Sequence, residues 1–324
     1  MVKVGILGAG GMGNVHARQY RKMSDVELSF FDPLPEKSEA FAKQWSATPL
    51  DSVEQVIAKC DVIDVCLPTD MHQDAGLRAI ASGRAVFIEK PFARTFEECR
   101  QLIGAAEDAK VPLMPGHVAR FFADFATGHR LVKSGAVGTP AAARTRRGGL
   151  APMGSHGWFR DYERSGGVLV DLAVHDFDWL RWTLGEVKHL YSRSVGIQTG
   201  SGPDYALTTL TFESGAVGHV EATWMDPGGF RTTFEIAGSK GLIQHDSRQN
   251  VALRTTLEGG KTFADGAISA TDDPYFKQLR GFLDAVKNKT DVPVSAHDGA
   301  MAVSIAMAAV ESAKTGKVVV PERV

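Results

Sequence analysis

The sequence predicts an α/β protein in two parts: a Rossmann-type doubly wound parallel sheet, then an α/β domain with a large, mostly antiparallel sheet. Three observations carry this. Short apolar runs alternate with helical segments up to about residue 117, a glycine-rich turn follows the first run, and hairpin-spaced strands dominate after about residue 187. The 324 residues fit two domains at roughly 150 each. The pattern changes near residue 119, dividing the chain into 1–118 and 119–324.

The elements of the first part follow in order. VKVGIL (2–7), ELSFFD (27–32), VIDVCLP (62–68), AVFIEKP (85–91) and a short VPLMPGH (111–117) read as strands. Between them GAGGMGNVHARQYRKM, PEKSEAFAKQW, SVEQVIAKC, HQDAGLRAIASG and FEECRQLIGAAEDAK have helical character. Strands that are apolar almost throughout belong to a parallel sheet covered on both faces.

Composition excludes several classes. A net charge of −2 gives no electrostatic reason to expect nucleic acid or an anionic membrane as partner. MVKVGILG enters the first strand at once, without the basic and apolar regions of a signal peptide. AMAVSIAMAAV (300–310) is too short to span a bilayer and fits a buried helix. Cys60, Cys66 and Cys99 lack metal-ligand spacing, so no metal is expected, and they fit reduced residues of a cytoplasmic protein.

Gly8, Gly10 and Gly13 form G-x-G-x-x-G between strand and helix. This is the arrangement in which backbone approaches a pyrophosphate and the helix N-terminus supplies N–H donors. Glycine-rich turns are common, so the context matters: Asp32 ends the second strand about 20 residues on. Asp-Pro there also suits a plain turn. As a ligand, the carboxylate would bind ribose hydroxyls and repel a 2′-phosphate, and FFDPLP has no arginine, which favours NAD over NADP. Gly8, Gly10, Gly11, Met12, Gly13 and Asp32 are therefore candidate cofactor contacts, with Leu67, Pro68, Thr69, His72, Glu89 and Lys90 at the sheet's carboxyl edge. His72 also suits a solvated helix start.

Residues 168–184 pose a separate problem. Eleven of these seventeen are apolar, yet Asp171, His175, Asp176 and Asp178 lie among them. At roughly 100° per residue, Asp171, His175 and Asp178 share an arc of about 60°, bordered by Trp179 and Trp182. Such a stripe suits a cleft or a buried hydrogen-bonded cluster. Histidine, titrating near pH 6.5, can exchange a proton with an alcohol, and Asp171 could orient it or hold a hydroxyl. Asp176 points elsewhere, toward a salt bridge or subunit contact.

GILGAGGMG, PTDMH, EKP and GGVLVDLAVHDFDW together resemble the glucose–fructose oxidoreductase/inositol dehydrogenase/rhizopine-catabolism (Gfo/Idh/MocA) family along essentially the whole chain. The resemblance implies the second domain's antiparallel sheet and an often cis Lys–Pro bond. It implies that Lys90, Asp171 and His175 contact the reacting hydroxyl. The expected activity is reversible hydride transfer between NAD and a secondary hydroxyl of a cyclitol, sugar or polyol, by a homodimer or homotetramer. NAD-dependent glycoside cleavage and a non-catalytic NAD-linked sensor are the alternatives.

In the second part, a helical stretch through Lys133 precedes the strand AAARTRR (141–147), whose arginines suit an exposed edge or subunit contact or, less simply, an acidic substrate. GSHGWFRDYERSGG leads into residue 168. YALTTLTF, VGHVEATW, RTTFEIAG, LIQHD and VALRTTL are the hairpin strands. PYFKQLRGFLDAVKN (274–288) and a helix over 298–315 end the chain, the latter expected to dock on the first domain. His117, Arg120, Trp158 and Arg160 are further substrate-site candidates.

Overall fold

The computed structural model describes residues 1–197, 202–249, 253–257, 262–265 and 273–324. In the first part β1 (Val2–Leu7), α1 (Gly11–Tyr20), β2 (Val26–Phe31), α2 (Pro35–Trp45), β3 (Thr48–Pro49), α3 (Val53–Lys59), β4 (Val62–Val65), α4 (His72–Ala81), β5 (Ala85–Glu89), α5 (Phe96–Ala109) and β6 (Leu113–Gly116) follow one another. All six strands are parallel, in the order β3-β2-β1-β4-β5-β6. The order reverses between β1 and β4, and a ligand binds outside the carboxyl ends at such a switch point. Every residue of β4, β5 and β6 is buried, as two covered faces require.

The second part contains α6 (Ala123–Lys133), β7 (Pro140–Gly148), a short α7 (Tyr162–Ser165), α8 (Val174–Leu184), β8 (Val187–Val195), β9 (Tyr205–Phe212), β10 (Val217–Thr223), β11 (Arg231–Gly238), β12 (Gly241–Asp246), β13 (Leu253–Leu257), β14 (Thr262–Asp265), α9 (Pro274–Asn288) and α10 (Ala296–Thr315). Its sheet runs β14-β13-β12-β11-β7-β10-β9-β8, antiparallel except for β7 with β10. The first two residues of the expected run VALRTTL lie outside the described residues. One face packs Phe234, Val220 and Leu210 against Trp179, Phe177 and Leu180 of α8 and Ile305 and Ala309 of α10.

Two expectations change. The strand containing Arg144, Arg146 and Arg147 is no edge: β7 lies inside the sheet, between β11 and β10. Alternation along it sends Arg144 and Arg146 to the outer face, where they pair with Glu235, Glu221 and Asp226, and turns Arg147 inward to Asp176, 2.7 Å away. Residues 168–184 are also not one α-helix. Val168–Leu172 form a π-helical turn that leads into α8, so the single-pitch arithmetic breaks there.

The C-terminal helices join the two parts. Leu279, Phe282 and Leu283 of α9 pack into the core of the parallel sheet beside Phe87 and Phe30. On α10, Ala300 and Val303 meet Phe92 and Leu102, while Ile305, Ala306 and Val310 meet the second core. No described helix is long and apolar enough to cross a membrane.

Candidate active site

The turn between β1 and α1 is built by contacts that forbid side chains. A Cβ on Gly13 would stand 2.0 Å from the Gly8 carbonyl oxygen, and one on Gly8, at φ +100°, 2.7 Å from that of Cys66. Gly10 and Gly11 instead face open space, with nothing within 4 Å of a built Cβ. No side chain caps α1, so its first N–H groups are left for an incoming acceptor. The cradle therefore fits a pyrophosphate. Asp32 braces it: Ala9 N–H donates to one carboxylate oxygen at 2.8 Å and Leu34 N–H to the other at 3.0 Å. Asn14, which the motif does not single out, donates to the carbonyls of Gly10 (2.8 Å) and Ala9 (3.1 Å) and accepts from Trp45 Nε1 (2.8 Å).

At the far end of the same sheet edge, β5 delivers Lys90, and the Lys90–Pro91 bond is cis. Lys90 Nζ donates to Asp171 Oδ1 at 2.8 Å and to the Asp171 carbonyl at 2.9 Å. An ammonium has three N–H groups, so one remains for a ligand. Asp171 lies in the π turn, and both its carboxylate and its carbonyl accept from Lys90. His175 follows in the first turn of α8, half-buried, and its Nδ1 has no hydrogen-bond partner among the described residues. Burial first, then the positive charges of Arg147 and Lys90, hold its pKa well below the ordinary 6.5. The imidazole is thus held in its neutral form.

Other candidates occupy different surroundings. His72 is buried rather than solvated, 2.9 Å from both the Leu67 and Pro91 carbonyl oxygens, and so ties together the loops after β4 and β5. Arg120 is buried against Asp178 and Asp298, with Nε donating to Asp178 at 2.8 Å and Nη1 to Asp298 at 3.1 Å. Asp178 accordingly leaves the stripe for this ion cluster. His117 is fully enclosed, its Nδ1 3.8 Å from Asp178, and burial lowers its pKa. Trp158 stacks on Phe159 with ring centroids 3.9 Å apart, and Arg160 is exposed.

Their segment is fastened to the first part at three places. Lys37 of α2 donates to Ser155. Arg94 donates to the carbonyls of Tyr162 and Glu163 at 3.1 and 3.0 Å. Arg164 pairs with Asp70 at 2.9 Å. Residues 155–164 thereby bridge α2 and the loops that follow β4 and β5.

Comparison with known proteins agrees with this architecture. Residues 2–117 match a family model described as an oxidoreductase family with an NAD-binding Rossmann fold, and residues 125–244 match the GFO/IDH/MocA C-terminal domain. Relatives include inositol 2-dehydrogenase of Rhizobium meliloti (strain 1021) and myo-inositol 2-dehydrogenase of Thermotoga maritima. Each is 28% identical, with 96% of both chains covered. Among solved structures, levoglucosan dehydrogenase in complex with NADH superposes with a TM-score of 0.91 at 24% identity, covering 100% of both chains. The family model matched by residues 2–117 makes NAD the cofactor of this chain.

Proposed function

This chain belongs to the GFO/IDH/MocA oxidoreductase family, and from that premise we propose that it transfers hydride reversibly between NAD and a secondary hydroxyl of a cyclitol, sugar or polyol. The observation that carries the reading is the meeting of Lys90, from the tip of β5, with Asp171, one turn before a neutral His175. Bound NAD supplies the hydride acceptor, and the cradle at Gly8–Gly13 with Asp32 holds it. Lys90, fixed by two bonds to Asp171, directs its third N–H at the substrate oxygen and stabilises negative charge developing there. His175 takes the hydroxyl proton in oxidation and returns it in reduction. Proton transfer of this kind contributes about 10²–10⁴-fold. The names of the inositol and sugar dehydrogenase relatives support the substrate class.

The test is NADH formation by purified protein across inositols, aldoses, sugar alcohols and sugar acids. Turnover with at least one free polyol or sugar is expected. NAD binding without any turnover would point to a sensor, and glycoside cleavage without net NADH to the other alternative; either overturns the proposal.

We further take residues 1–118 as the NAD domain and 119–324 as the substrate and contact domain. The outer sheet face carries Tyr191, Leu207 and Val217, all exposed, among charged side chains. That face supports a homodimer or homotetramer, in which light scattering would give a multiple of 34.9 kDa; a single-subunit mass would refute it. Three buried free cysteines support a reducing, cytoplasmic setting.

A further inference from the structure

Behind the nicotinamide end of the sheet lies a group of charges that the proposed reaction does not use. Asp64, in the middle of β4, is completely buried, a position where an unpartnered carboxylate would be strongly destabilising. His16 and Tyr20, one turn apart on α1, answer it. His16 Nδ1 is 2.8 Å from Asp64 Oδ2, and Tyr20 Oη donates to the same oxygen at 3.0 Å. Cys66 Sγ lies 3.3 Å from His16 Nδ1 and 3.4 Å from Asp64 Oδ1. Phe87 closes one side of the imidazole at 5.5 Å and Tyr275 of α9 another at 6.2 Å.

The other imidazole nitrogen faces the active site. His16 Nε2 is 3.1 Å from Glu89 Oε1. Glu89 Oε2 accepts the backbone N–H of Lys90 at 3.1 Å. Glu89 is itself wedged against Gly116, where a Cβ would meet its Oε1 at 3.0 Å. Carboxylates flank both ring nitrogens: Nδ1 is hydrogen-bonded to Asp64, whereas Nε2 meets Glu89 Oε1 as a close ion pair in which neither atom makes a hydrogen bond among the described residues. Burial is the largest single influence and opposes the protonated form, but the charge and hydrogen bond of Asp64 together with the neighbouring Cys66 raise the pKa of His16 well above 6.5. A fixed cation therefore joins the strand interior to the main chain of Lys90.

We propose that His16 is a positioning residue of the reaction, holding the Glu89 carboxylate and, through it, the Lys90 main chain beside Asp171. The inference rests on the reading of Lys90 as the group that meets substrate. It adds that Lys90 is aimed from inside the nucleotide domain as well as by Asp171 across the cleft.

Two amide side chains separate the halves of the clamp. Asn at position 16 reaches where Nδ1 stood and retains the partner of Asp64; Gln reaches where Nε2 stood and retains the partner of Glu89. His16→Asn is expected to melt nearer the parent yet lose about tenfold or more in kcat, with KM for NAD little changed. His16→Gln is expected to melt lower and remain within about threefold of the parent in kcat. Equal kcat in the two variants, or losses of kcat that follow their melting temperatures, would overturn the proposal in favour of a structural role.

Hydrogen exchange of the Lys90 amide gives a readout independent of turnover. Exchange about tenfold faster is expected in His16→Asn and in Glu89→Ala, which removes the acceptor of the Lys90 N–H, and not in His16→Gln. Unchanged exchange in both His16→Asn and Glu89→Ala refutes the clamp. Absence of turnover in the parent refutes the dehydrogenase reading while the exchange result still decides the clamp.

Discussion

The segment Val168–Leu184 carries an aspartate toward each end, and the two have opposite surroundings. Asp178 meets Nε and Nη2 of Arg120, whose Nη1 donates to Asp298, and Asp298 in turn accepts from Arg181 at 2.7 Å. Arg181 also donates to Glu186 at 3.0 Å. The charges close on one another, and they tie α8 to α10 and to the turn after β6. Among the described residues Asp171 meets a single cation, Lys90, whose third N–H has no partner, and the neighbouring His175 Nδ1 is unbonded. Residue types hardly distinguish a brace from a reactive site; open hydrogen-bonding capacity does.

That contrast can be broken by mutation at either end. The largest effect is expected from Lys90→Met, a fall in kcat of about 10³-fold with the Kd for NAD within about threefold. Stopped-flow turnover and fluorescence titration check this, and near-parent turnover would remove the reactive end from the comparison. Asp178→Asn comes next. It leaves Arg120 buried with half its compensation, and stability should fall by about 3–5 kcal/mol, read from the denaturant midpoint, with far less loss of kcat than for Lys90→Met. A stable but inactive protein would show that the closed end is also catalytic. Asp32→Ala should act more weakly, raising the Kd for NAD about tenfold and reducing discrimination against NADP. An unchanged ratio of the two affinities would leave Asp32 as a brace of the glycine turn alone.

Much of the nucleotide domain was legible because its signals are local: apolar strands, a glycine spacing, and an aspartate at a fixed interval. The cradle's bracing by Asn14 and Trp45 was not, since a single asparagine inside a helix carries no motif. Strand ends were overrun. VIDVCLP pairs only through Val65, after which the chain leaves the ladder to form the loop at Leu67–Thr69. His72 looked solvated because nothing nearby in sequence shows the Pro91 carbonyl that encloses it. The polar stripe divides for a geometric reason. A π turn changes the pitch, and Arg120, 58 residues away, claims Asp178. Arg147 followed strand alternation, but no sequence window shows that β7 is interior. His16 was passed over for the same reason as Asn14, its partners being 48 and 73 residues distant along the chain.

The central claim is that the imidazole at the open end is held neutral, with its Nδ1 open among the described residues. Burial and the neighbouring Arg147 and Lys90 depress its folded-state pKa, so the unfolded chain binds a proton near pH 6.5 that the folded chain does not. Stability from this residue is present above that pH and is lost as pH falls below it. NMR titration of the histidine ring signals, with His175→Asn identifying the resonance, tests this most directly. The account predicts that the His175 signal remains in its neutral position well below pH 6.5; protonation at or above that value would contradict it.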